Sequence, residues 1–238
     1  MTRRIELSPR LRLAADLVPE GARLADVGTD HAYLPAWLLQ NGRIPSAIAS
    51  DVREGPLSRA RATARACGCF ERMSFRLCDG LSGIAPEEVD ALVIAGMGGE
   101  TIANILEAAP WVKEKDFPII LQPMSTQAEL RGWLWRNGFL CLREKTVFEG
   151  ETLYSIILAR QGGAVPMTPA EEWAGRQYPG MEDPLRGLLL DHLLGRVRRA
   201  LDGMARSRAP AEARRRELEQ VLEGLMEMRK EWDAWQQR

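Results

Sequence analysis

The segment from Leu24 to Tyr33 constrains the fold more than any other part of this 238-residue chain. Residues 24–27 predict a short buried strand, Gly28 predicts a sharp turn, and Asp30 is placed to cap the helix that follows. A strand, a glycine turn and a helix N-terminus open the ligand sites of doubly wound sheets, where the ligand lies above the carboxyl end of the first strand. We therefore predict an α/β fold with a binding site at this turn.

The chemistry of the turn argues against a dinucleotide. Dinucleotide folds carry G-x-G-x-x-G here so that a pyrophosphate can lie against bare backbone, whereas this turn has one glycine and a bulky Tyr33. Asp26 and Asp30 flank the position that a dinucleotide phosphate would occupy. Two carboxylates there disfavour an anion but suit a cation. S-adenosylmethionine carries a sulfonium and an amino group, so it fits this turn better than NAD. The alternative is an ordinary strand-to-helix turn.

Composition narrows the class of protein. The length allows one sizeable core plus an appendage, and the net charge of −1 means that any nucleic-acid contact must come from local patches. The cysteines are Cys67, Cys69, Cys78 and Cys141. They follow no zinc spacing, so we expect reduced thiols and no metal. No stretch has the roughly 20 apolar residues of a membrane span, and no apolar signal segment follows the basic N-terminus. We therefore expect a cytoplasmic protein with no membrane partner.

Beyond the turn, predicted strands alternate with predicted helices. The strands are expected at 46–50, 73–77, 89–95 and 117–121, followed by a hairpin at 139–148 and 152–158. The helices are expected at 32–40, 56–67, 101–108 and 126–137, after a first one that Ser8-Pro9 begins. Five strands that alternate with helices and end in a hairpin predict a seven-stranded, mostly parallel sheet with one antiparallel edge strand. This is the Rossmann-like sheet of class I methyltransferases.

Acidic and glycine residues follow the predicted strands where a cofactor would bind. Asp51 ends the second strand, 25 residues beyond Asp26, where a carboxylate can grip a pair of ribose hydroxyls. Asp79-Gly80 follows the third strand, where the methyltransferase sheet places an acid near the adenine amino group, although Asp-Gly is also a common turn dipeptide. The glycine-rich run 96–99 follows the fourth strand and allows backbone to approach a ligand closely. The Asn/Asp-Pro-Pro-aromatic element of many amino-methyltransferases is not present there.

The apolar period changes to a heptad in the C-terminal part. The repeating residues are Leu190, Leu194, Val197, Leu201 and Met204, then Leu218, Val221, Leu225, Met228, Trp232 and Trp235. Two such helices, with a break at Ser207–Pro210, predict an antiparallel helical hairpin of the coiled-coil type. The predicted domains are a methyltransferase domain at 1–160, a Gly- and Pro-rich connector at 161–184, and the hairpin at 185–238.

Two basic segments are open to two interpretations each. Residues 196–216 hold eight arginines against Asp202 and Glu212, an excess of six positive charges near the tip of the hairpin. This run fits either a solvated helix face or an arm that grips RNA phosphates. The N-terminal arginines fit either a solvated helix or a basic lip over the cofactor site. They are Arg3, Arg4, Arg10 and Arg12.

Four motifs in combination resemble one known family. They are Asp26-Val-Gly-Thr-Asp-His-Ala-Tyr-Leu-Pro35, Asp79-Gly80, Ala95-Gly-Met-Gly-Gly99 and Gln122-Pro123. The chain resembles the bacterial tRNA (adenine-N1)-methyltransferases that act on adenine 22, the TrmK family, through the whole catalytic part, and its hairpin matches by architecture. The resemblance implies methyl transfer from S-adenosylmethionine to N1 of adenine 22 in tRNA, which forms 1-methyladenosine. Asp51 and Met124 depart from the family, which has Glu and Asn at these positions.

The resemblance also implies site residues, because the family contacts S-adenosylmethionine through the equivalents of the strand-end acids and glycines. The expected cofactor-binding residues are Asp26, Gly28, Thr29, Asp51, Val52, Asp79, Gly80, Ala95, Gly96 and Met97. The Asp-His-Ala-Tyr run borders the methyl group and the target base in that family. The expected catalytic residues are therefore Asp30, His31 and Tyr33.

Methylation of N1 requires mainly in-line positioning, because N1 of the neutral base already carries a free lone pair. Asp30 would stabilise the cationic product or accept a proton from the exocyclic amine, besides capping its helix. His31 would orient Asp30, touch the base or pack at the turn. Tyr33 would stack on the base or pack under the cofactor. Because N1 lies on the Watson–Crick edge, the base must be flipped out or its surroundings opened.

The sequence is also compatible with two other classes of function. A methyltransferase of proteins or small molecules would use the hairpin for dimerisation. A non-catalytic module that binds S-adenosylmethionine would use it to recruit a partner. For the tRNA enzyme we expect a monomer.

Overall fold

The computed structural model describes residues 3–206 and 212–237. The strands are β1 (Leu24–Val27), β2 (Ala47–Asp51), β3 (Met73–Leu77), β4 (Ala91–Gly98), β5 (Ile119–Ser125), β6 (Phe139–Glu149) and β7 (Thr152–Gln161). The helices are α1 (Pro9–Asp16), α2 (Tyr33–Gln40), α3 (Glu54–Ala66), α4 (Gly99–Glu107), α5 (Gln127–Arg136), α6 (Pro169–Ala174), α7 (Arg186–Ala205) and α8 (Glu212–Gln236). The strands form one sheet in the order β3-β2-β1-β4-β5-β7-β6. The predicted class, an α/β fold with a mostly parallel seven-stranded sheet, is confirmed.

β1 lies in the middle of the sheet, paired in parallel with β2 on one side and β4 on the other. All of its residues are buried, as expected of a strand that helices cover on both faces. Because the chain order reverses between β1 and β4, a crevice opens at their carboxyl ends. The Gly28 turn therefore lies where α/β sheets bind their ligands.

The single antiparallel strand lies inside the sheet, so the expectation of an antiparallel edge strand is wrong. β7 pairs antiparallel with both β5 and β6, and β6 forms the edge. Burial explains the order: β7 contributes the fully buried Ile156, Ile157 and Ala159, whereas β6 carries a charged Arg-Glu-Lys run at 143–145. Charged residues suit an edge strand better than a central one.

The helix after the first turn begins later than predicted. α2 starts at Tyr33, and its N-cap is Ala32 in the left-handed conformation, with no side-chain capping bond. The predicted N-cap role of Asp30 is therefore wrong, because its carboxylate pairs with Arg59 of α3 instead. The sharp turn at Gly28 is confirmed, since this residue has a φ of 75°.

β4 and β5 extend beyond the predicted strands at 89–95 and 117–121. Their pairing continues to Met97–Pro123 and Gly98–Ser125 across two register shifts. β7 pairs only with residues 119–121 of β5, so the extension projects past the antiparallel partner. It carries the glycine-rich run and Gln122 to the carboxyl edge of the sheet, beside the end of β1.

Three apolar clusters hold the elements together. One packs α1, α2 and α3 on one face of the sheet, with Ala14 and Leu38 fully buried. A second packs α4 and α5 on the other face, with Ile102 and Leu134 fully buried. The third joins α6, α7 and α8, and it contains every predicted heptad residue. The sheet and the hairpin thus have separate cores.

The two C-terminal helices run antiparallel, since Arg229 near the end of α8 pairs with Asp191 near the start of α7. The predicted break at Ser207–Pro210, which includes Arg208, lies outside the described residues. The predicted connector contains helix α6, whose Ala170 and Ala174 are buried against the hairpin. Glycine and proline content alone did not reveal this helix.

Two buried arginines hold α6 between the sheet and the hairpin. Arg131 of α5 pairs with Glu144 of β6 at 2.8 Å and donates to the backbone carbonyls of Glu172 and Trp173 at 2.9 Å each. Arg186 of α7 donates to two carbonyls at the C-terminus of α6. Burial lowers the pKa of Arg186 to about 10. Since buried guanidinium groups require partners, these contacts fix the connector in place.

Three further features concern membrane spans, metal ligands and the cysteines. Within the part of the chain that the structure describes, no helix is long and apolar enough to cross a membrane. Across the same residues, no group of three or more His, Cys, Asp or Glu side chains is arranged to hold a metal ion. The four cysteines are free thiols.

Candidate active site

A cavity of about 330 Å³ opens at the carboxyl ends of β1 and β4. The Gly28 turn, the start of α2, the end of β4 and part of α1 line it. The predicted site residues that it brings together are Asp26, Gly28, Thr29, Asp30, His31, Tyr33, Ala95 and Gly96. One surface therefore holds all the predicted catalytic residues and half of the predicted cofactor-binding residues.

Asp26 is the buried carboxylate of this cavity. It lies on β1 and is only 8% exposed. Burial penalises its charged form and raises its pKa from 3.8 to about 6. At neutral pH the carboxylate is therefore charged at a cost in folding free energy, which a bound cation would offset.

Two buried hydroxyls lie at the turn: Ser50 Oγ in β2 has no hydrogen-bond partner among the described residues, and the Thr29 hydroxyl faces the Asp26 carboxylate and partly offsets the rise in its pKa. The backbone carbonyl of Ser50 accepts hydrogen bonds from the N–H groups of Gly28 and Thr29 at 2.8 and 2.9 Å, which fixes the turn against β2. Buried polar atoms without partners are rare in folded proteins. The Ser50 hydroxyl is therefore suited to a polar ligand at the turn.

Asp30 is the exposed carboxylate of the site. Its side chain is 63% exposed and pairs with Arg59, whose Nε lies 3.1 Å from Oδ1. His31 Nε2 lies 3.5 Å from the other carboxylate oxygen. The hydrogen bond from Arg59 holds the pKa of Asp30 below its usual value. Asp30 is thus a fixed negative charge in the cavity wall, and a weak proton acceptor.

His31 and Tyr33 form a stacked pair in the same cavity, with ring centroids 5.0 Å apart and planes inclined by 6°. Both rings are partly exposed, and Tyr33 also packs against the apolar cluster around α1 and α2. The two predicted roles of Tyr33, packing and stacking, are therefore compatible. Partly exposed aromatic rings are a common support for nucleobases.

The remaining predicted cofactor residues lie outside this cavity. Asp51, buried at the end of β2, accepts a hydrogen bond from the N–H of Arg53 at 2.8 Å, and the neighbouring Val52 is 63% exposed. Asp79 and Gly80 line a separate cavity of about 410 Å³ with residues of α4. The structure does not bring these four residues into the first cavity, and their cofactor role stays a prediction.

Met97 covers the glycine turn. A Cβ atom at position 28 would lie 1.8 Å from Met97 Cε, so the thioether side chain occupies the space that any residue larger than glycine would need. The predicted cofactor role of Met97 stays a prediction, since the structure shows only its contact with the Gly28 turn.

A polar network around Gln122 is the part of the site to which the sequence assigned no role. Gln122 is fully buried, and its Oε1 accepts hydrogen bonds from Gly96 N at 3.1 Å and Arg10 Nη1 at 2.8 Å. Arg10 is held further by Glu149, which accepts from the Arg10 backbone N–H at 3.2 Å. The network fixes the left-handed Gly96 and keeps Arg10 in the cavity wall. The sequence feature that could have indicated this network is a glutamine inside an otherwise apolar strand.

The arginines of the hairpin differ between its two helices. The ion pairs on α8 are Arg214–Glu217, Arg215–Glu219 and Arg216–Glu212. On α7, Arg196, Arg198 and Arg199 are exposed and have no carboxylate within 4 Å in the described ranges. The predicted positive excess is therefore concentrated on α7.

Comparison with known proteins agrees with this geometry. Residues 7–157 match the family model described as "Methyltransferase domain". The chain is 37% identical over 158 residues to the tRNA (adenine(22)-N(1))-methyltransferase of Bacillus subtilis (strain 168). The alignment covers 66% of this chain and 66% of that relative, so it spans just under two thirds of the relative's length.

Two crystal structures are similar over nearly the whole chain. A Streptococcus agalactiae protein in the NADB-Rossmann superfamily is 32% identical with a TM-score of 0.84, covering 95% of this chain and 98% of that chain. Streptococcus pneumoniae Sp1610 in complex with S-adenosyl-L-methionine is 31% identical with a TM-score of 0.81, covering 94% and 100%. The similarity therefore extends through the C-terminal helices.

Proposed function

The chain belongs to the methyltransferase-domain family, and on that premise we propose that it transfers a methyl group from S-adenosylmethionine to N1 of adenine 22 in tRNA. One observation carries the proposal: Asp26, Thr29 and the His31–Tyr33 pair line a single cavity at the end of β1. The relative named for this reaction and the neighbour solved with S-adenosyl-L-methionine support the same assignment.

The residues at the turn fit S-adenosylmethionine, which supplies an electrophilic methyl group on a cationic sulfur. The buried Asp26 carboxylate suits a cationic ligand, and the Thr29 hydroxyl suits a polar one. The left-handed Gly96 allows backbone to approach the ligand closely, and the left-handed Gly28 leaves room for the Met97 side chain over the turn. Asp51, at the end of β2, is our candidate for the ribose hydroxyls. Val52, Asp79, Gly80, Ala95 and Met97 complete the proposed set.

Asp30 would stabilise charge at the target ring. Its lowered pKa keeps it ionised, so it suits the cation that forms when N1 is methylated. Low basicity is no disadvantage, because N1 of neutral adenine needs no deprotonation before it attacks. The ion pair with Arg59 restrains the carboxylate and fixes its direction.

The His31–Tyr33 pair would support the target adenine. N1 lies on the Watson–Crick edge, so the base must leave its stack to reach the cavity. Stacked, partly exposed rings provide a planar surface for an extruded base. Arg10, held by Gln122 and Glu149, is the N-terminal arginine that borders the same cavity.

The hairpin is our candidate for the main tRNA contact outside the active site. A chain with a net charge of −1 can attract RNA only through local positive patches, and the exposed arginines of α7 form one. We propose that 1–160 carries catalysis, 161–184 connects, and 185–238 holds the tRNA. Action on tRNA would place the enzyme in the cytoplasm, and we propose that it acts as a monomer.

The test is incubation of the purified protein with radiolabelled S-adenosylmethionine and unmodified bacterial tRNA, followed by nucleoside analysis. We expect label in 1-methyladenosine, and we expect it to disappear when adenine 22 of a tRNA transcript is replaced by guanine. No label in any nucleoside, with cofactor binding intact, would contradict the proposal and favour a protein or small-molecule substrate.

A further inference from the structure

A second groove lies beside the active site, between the sheet and the hairpin. It has a volume of about 280 Å³ and is bounded by the end of β5, the start of α5, Trp173 of α6 and both hairpin helices. Arg196 of α7 and Arg214 of α8 bring positive charge to it, and Met124 and Thr126 line it at the sheet edge.

Strand β5 connects the groove to residues that support the active site. Gln122 contacts Gly96 and Arg10 in the first cavity, and its Nε2 lies 3.5 Å from the sulfur of Met124. Met124, which is 44% exposed, lines the second groove. Gln122, which holds two lining residues of the first cavity, and Met124, which lines the groove, are thus two positions apart on one strand. A long ligand that reacts in the first cavity would therefore pass close to the groove.

Arg196 lies over the ring of Trp173. Its guanidinium carbon lies 5.7 Å from the ring centroid of Trp173, and no carboxylate of residues 3–206 or 212–237 lies within 4 Å of it. A guanidinium stacked on an aromatic ring is restrained in orientation, while its N–H edge can form two parallel hydrogen bonds to a phosphate. Arg196 is thus an oriented and unneutralised cation.

The other charges of the groove favour one localised anion. Arg214 pairs with Glu217 at 2.6 Å, and Glu129 also lines the groove. These carboxylates would repel a ligand with many closely spaced negative charges. A single phosphate at Arg196, with the face of a base against the Met124 thioether, avoids them.

We propose that this groove binds the RNA backbone next to the target nucleotide, with Arg196 bound to one phosphate and Trp173 as the positioning residue of Arg196. The inference rests on the proposed function and adds a specific contact to it. Phosphate contacts fix the register of a nucleic acid without reading its sequence. A phosphate held two residues of β5 away from Gln122 would set how the flanking strand presents its base to the cavity.

Arg196→Ala tests this contact, with Arg215→Ala as the matched control. Both changes remove one exposed arginine from the hairpin, but Arg215 is paired with Glu219 and does not line the groove. For Arg196→Ala we expect the Kd for tRNA to rise about fivefold to tenfold and the slope of log K against log salt to fall by about one. For Arg215→Ala we expect a change below about twofold. The Kd for S-adenosylmethionine should stay constant in both.

Two further variants test the positioning role. Trp173→Phe keeps an aromatic face beneath Arg196 and should retain most of the tRNA affinity, whereas Trp173→Ala should lose as much as Arg196→Ala. The double variant with both alanines should lose no more than either single one, because the two residues act on the same phosphate. Steady-state kinetics should show the loss in KM for tRNA with kcat preserved. Thermal unfolding checks that α6 stays folded.

Each contrary result would contradict a different part of the proposal. Equal losses in Arg196→Ala and Arg215→Ala would overturn the proposal and assign RNA affinity to the diffuse charge of the hairpin. Unchanged tRNA affinity in Arg196→Ala would overturn it as well, and would leave the groove to a protein partner. Wild-type protein that neither binds nor methylates tRNA would overturn the proposed function together with this inference.

Discussion

At the scale of single residues, two carboxylates at the Gly28 turn have opposite environments. Asp26 is buried on β1 and its pKa is raised to about 6, whereas Asp30 is exposed, paired with Arg59, and has a pKa below its usual value. Two acids in one site take different roles when their surroundings separate their pKa values. Asp26 therefore suits a bound cation, and Asp30 suits charge that develops at the reacting ring.

Asp26→Asn should make the cost of burying this charge measurable. The folded-state pKa of about 6 lies above the ordinary 3.8, so the folded chain holds the proton more tightly, and stability falls as pH rises between these values. We expect the variant to raise the free energy of unfolding by at most about 3 kcal/mol at pH 7.5 and by less than about 1 kcal/mol at pH 4. Urea denaturation at both pH values measures this.

The same variant should bind S-adenosylmethionine more weakly at pH 7.5, because a neutral amide does not pair with a cation. Asp202→Asn, on an exposed face of α7, controls for the loss of one negative charge and should alter neither quantity. A stability gain of equal size at both pH values would show that burial of charge is not its origin.

Asp30→Ala should separate binding from chemistry. The residue is exposed and lies in the cavity wall, so we expect the Kd for the cofactor to change little. Turnover of tRNA should fall roughly 10-fold to 100-fold, since a positioned charge near the reacting ring is lost. Calorimetry and single-turnover kinetics measure the two effects. Equal losses of cofactor affinity and turnover would reduce Asp30 to a structural partner of Arg59.

At the scale of elements, the corner between α4 and α5 is fixed by backbone contact. Gly99 begins α4, and a Cβ atom there would lie 2.1 Å from the carbonyl oxygen of Thr126, the N-cap of α5. Thr126 itself has a φ of 47°, which is unusual for a β-branched residue. Because no side chain fits between Gly99 and Thr126, the N-termini of α4 and α5 are in direct backbone contact. This contact sets the position of the glycine-rich run at the active site.

Gly99→Ala should therefore destabilise the protein by about 1–3 kcal/mol, because the obstructing atoms are backbone and cannot rotate away. Gly203→Ala is the matched control: this glycine lies within α7 and has no atom within 4 Å of an added Cβ. It should stabilise the protein by up to about 1 kcal/mol through helix propensity. Urea denaturation measures both. A neutral Gly99→Ala would mean that α4 and α5 can move apart freely.

At the scale of the whole molecule, the active cavity and the hairpin are built from different segments. The first cavity is lined by residues between 10 and 34 and by Ala95 and Gly96, none of which comes from α7 or α8. The hairpin has its own apolar cluster and joins the sheet through α6. Cofactor binding and RNA binding are therefore separable in space.

Deletion of 185–238 should weaken tRNA binding at least about tenfold, because the exposed arginines of α7 are removed. The Kd for S-adenosylmethionine should stay within about twofold, since the turn and its partners remain. The melting temperature should fall, because Ala170 and Ala174 lose the helices that cover them. Filter binding and calorimetry measure the two affinities. Full tRNA affinity in the truncated chain would contradict the hairpin's role.

Local patterns accounted for the fold class and for much of the site. The strand at 24–27, the turn at Gly28 and the heptad helices were predicted correctly, because each depends on residues within about one heptad of one another. The residues of the Asp-His-Ala-Tyr run line one cavity for the same reason, because all four lie at a single turn. The strand ends at 95 and 121 were predicted too early, because pairing between β4 and β5 extends both strands.

The alternation of strands and helices, the sharp turn and the apolar faces of the hairpin follow from short-range periodicity and backbone preference, so they could be predicted from the order of residues alone. Tertiary structure decided what depends on distant partners. Asp30 pairs with Arg59 across 29 positions, and Arg10 meets Gln122 across 112. The place of β7 inside the sheet and the raised pKa of Asp26 are also tertiary effects, because burial depends on what the rest of the chain packs around a residue.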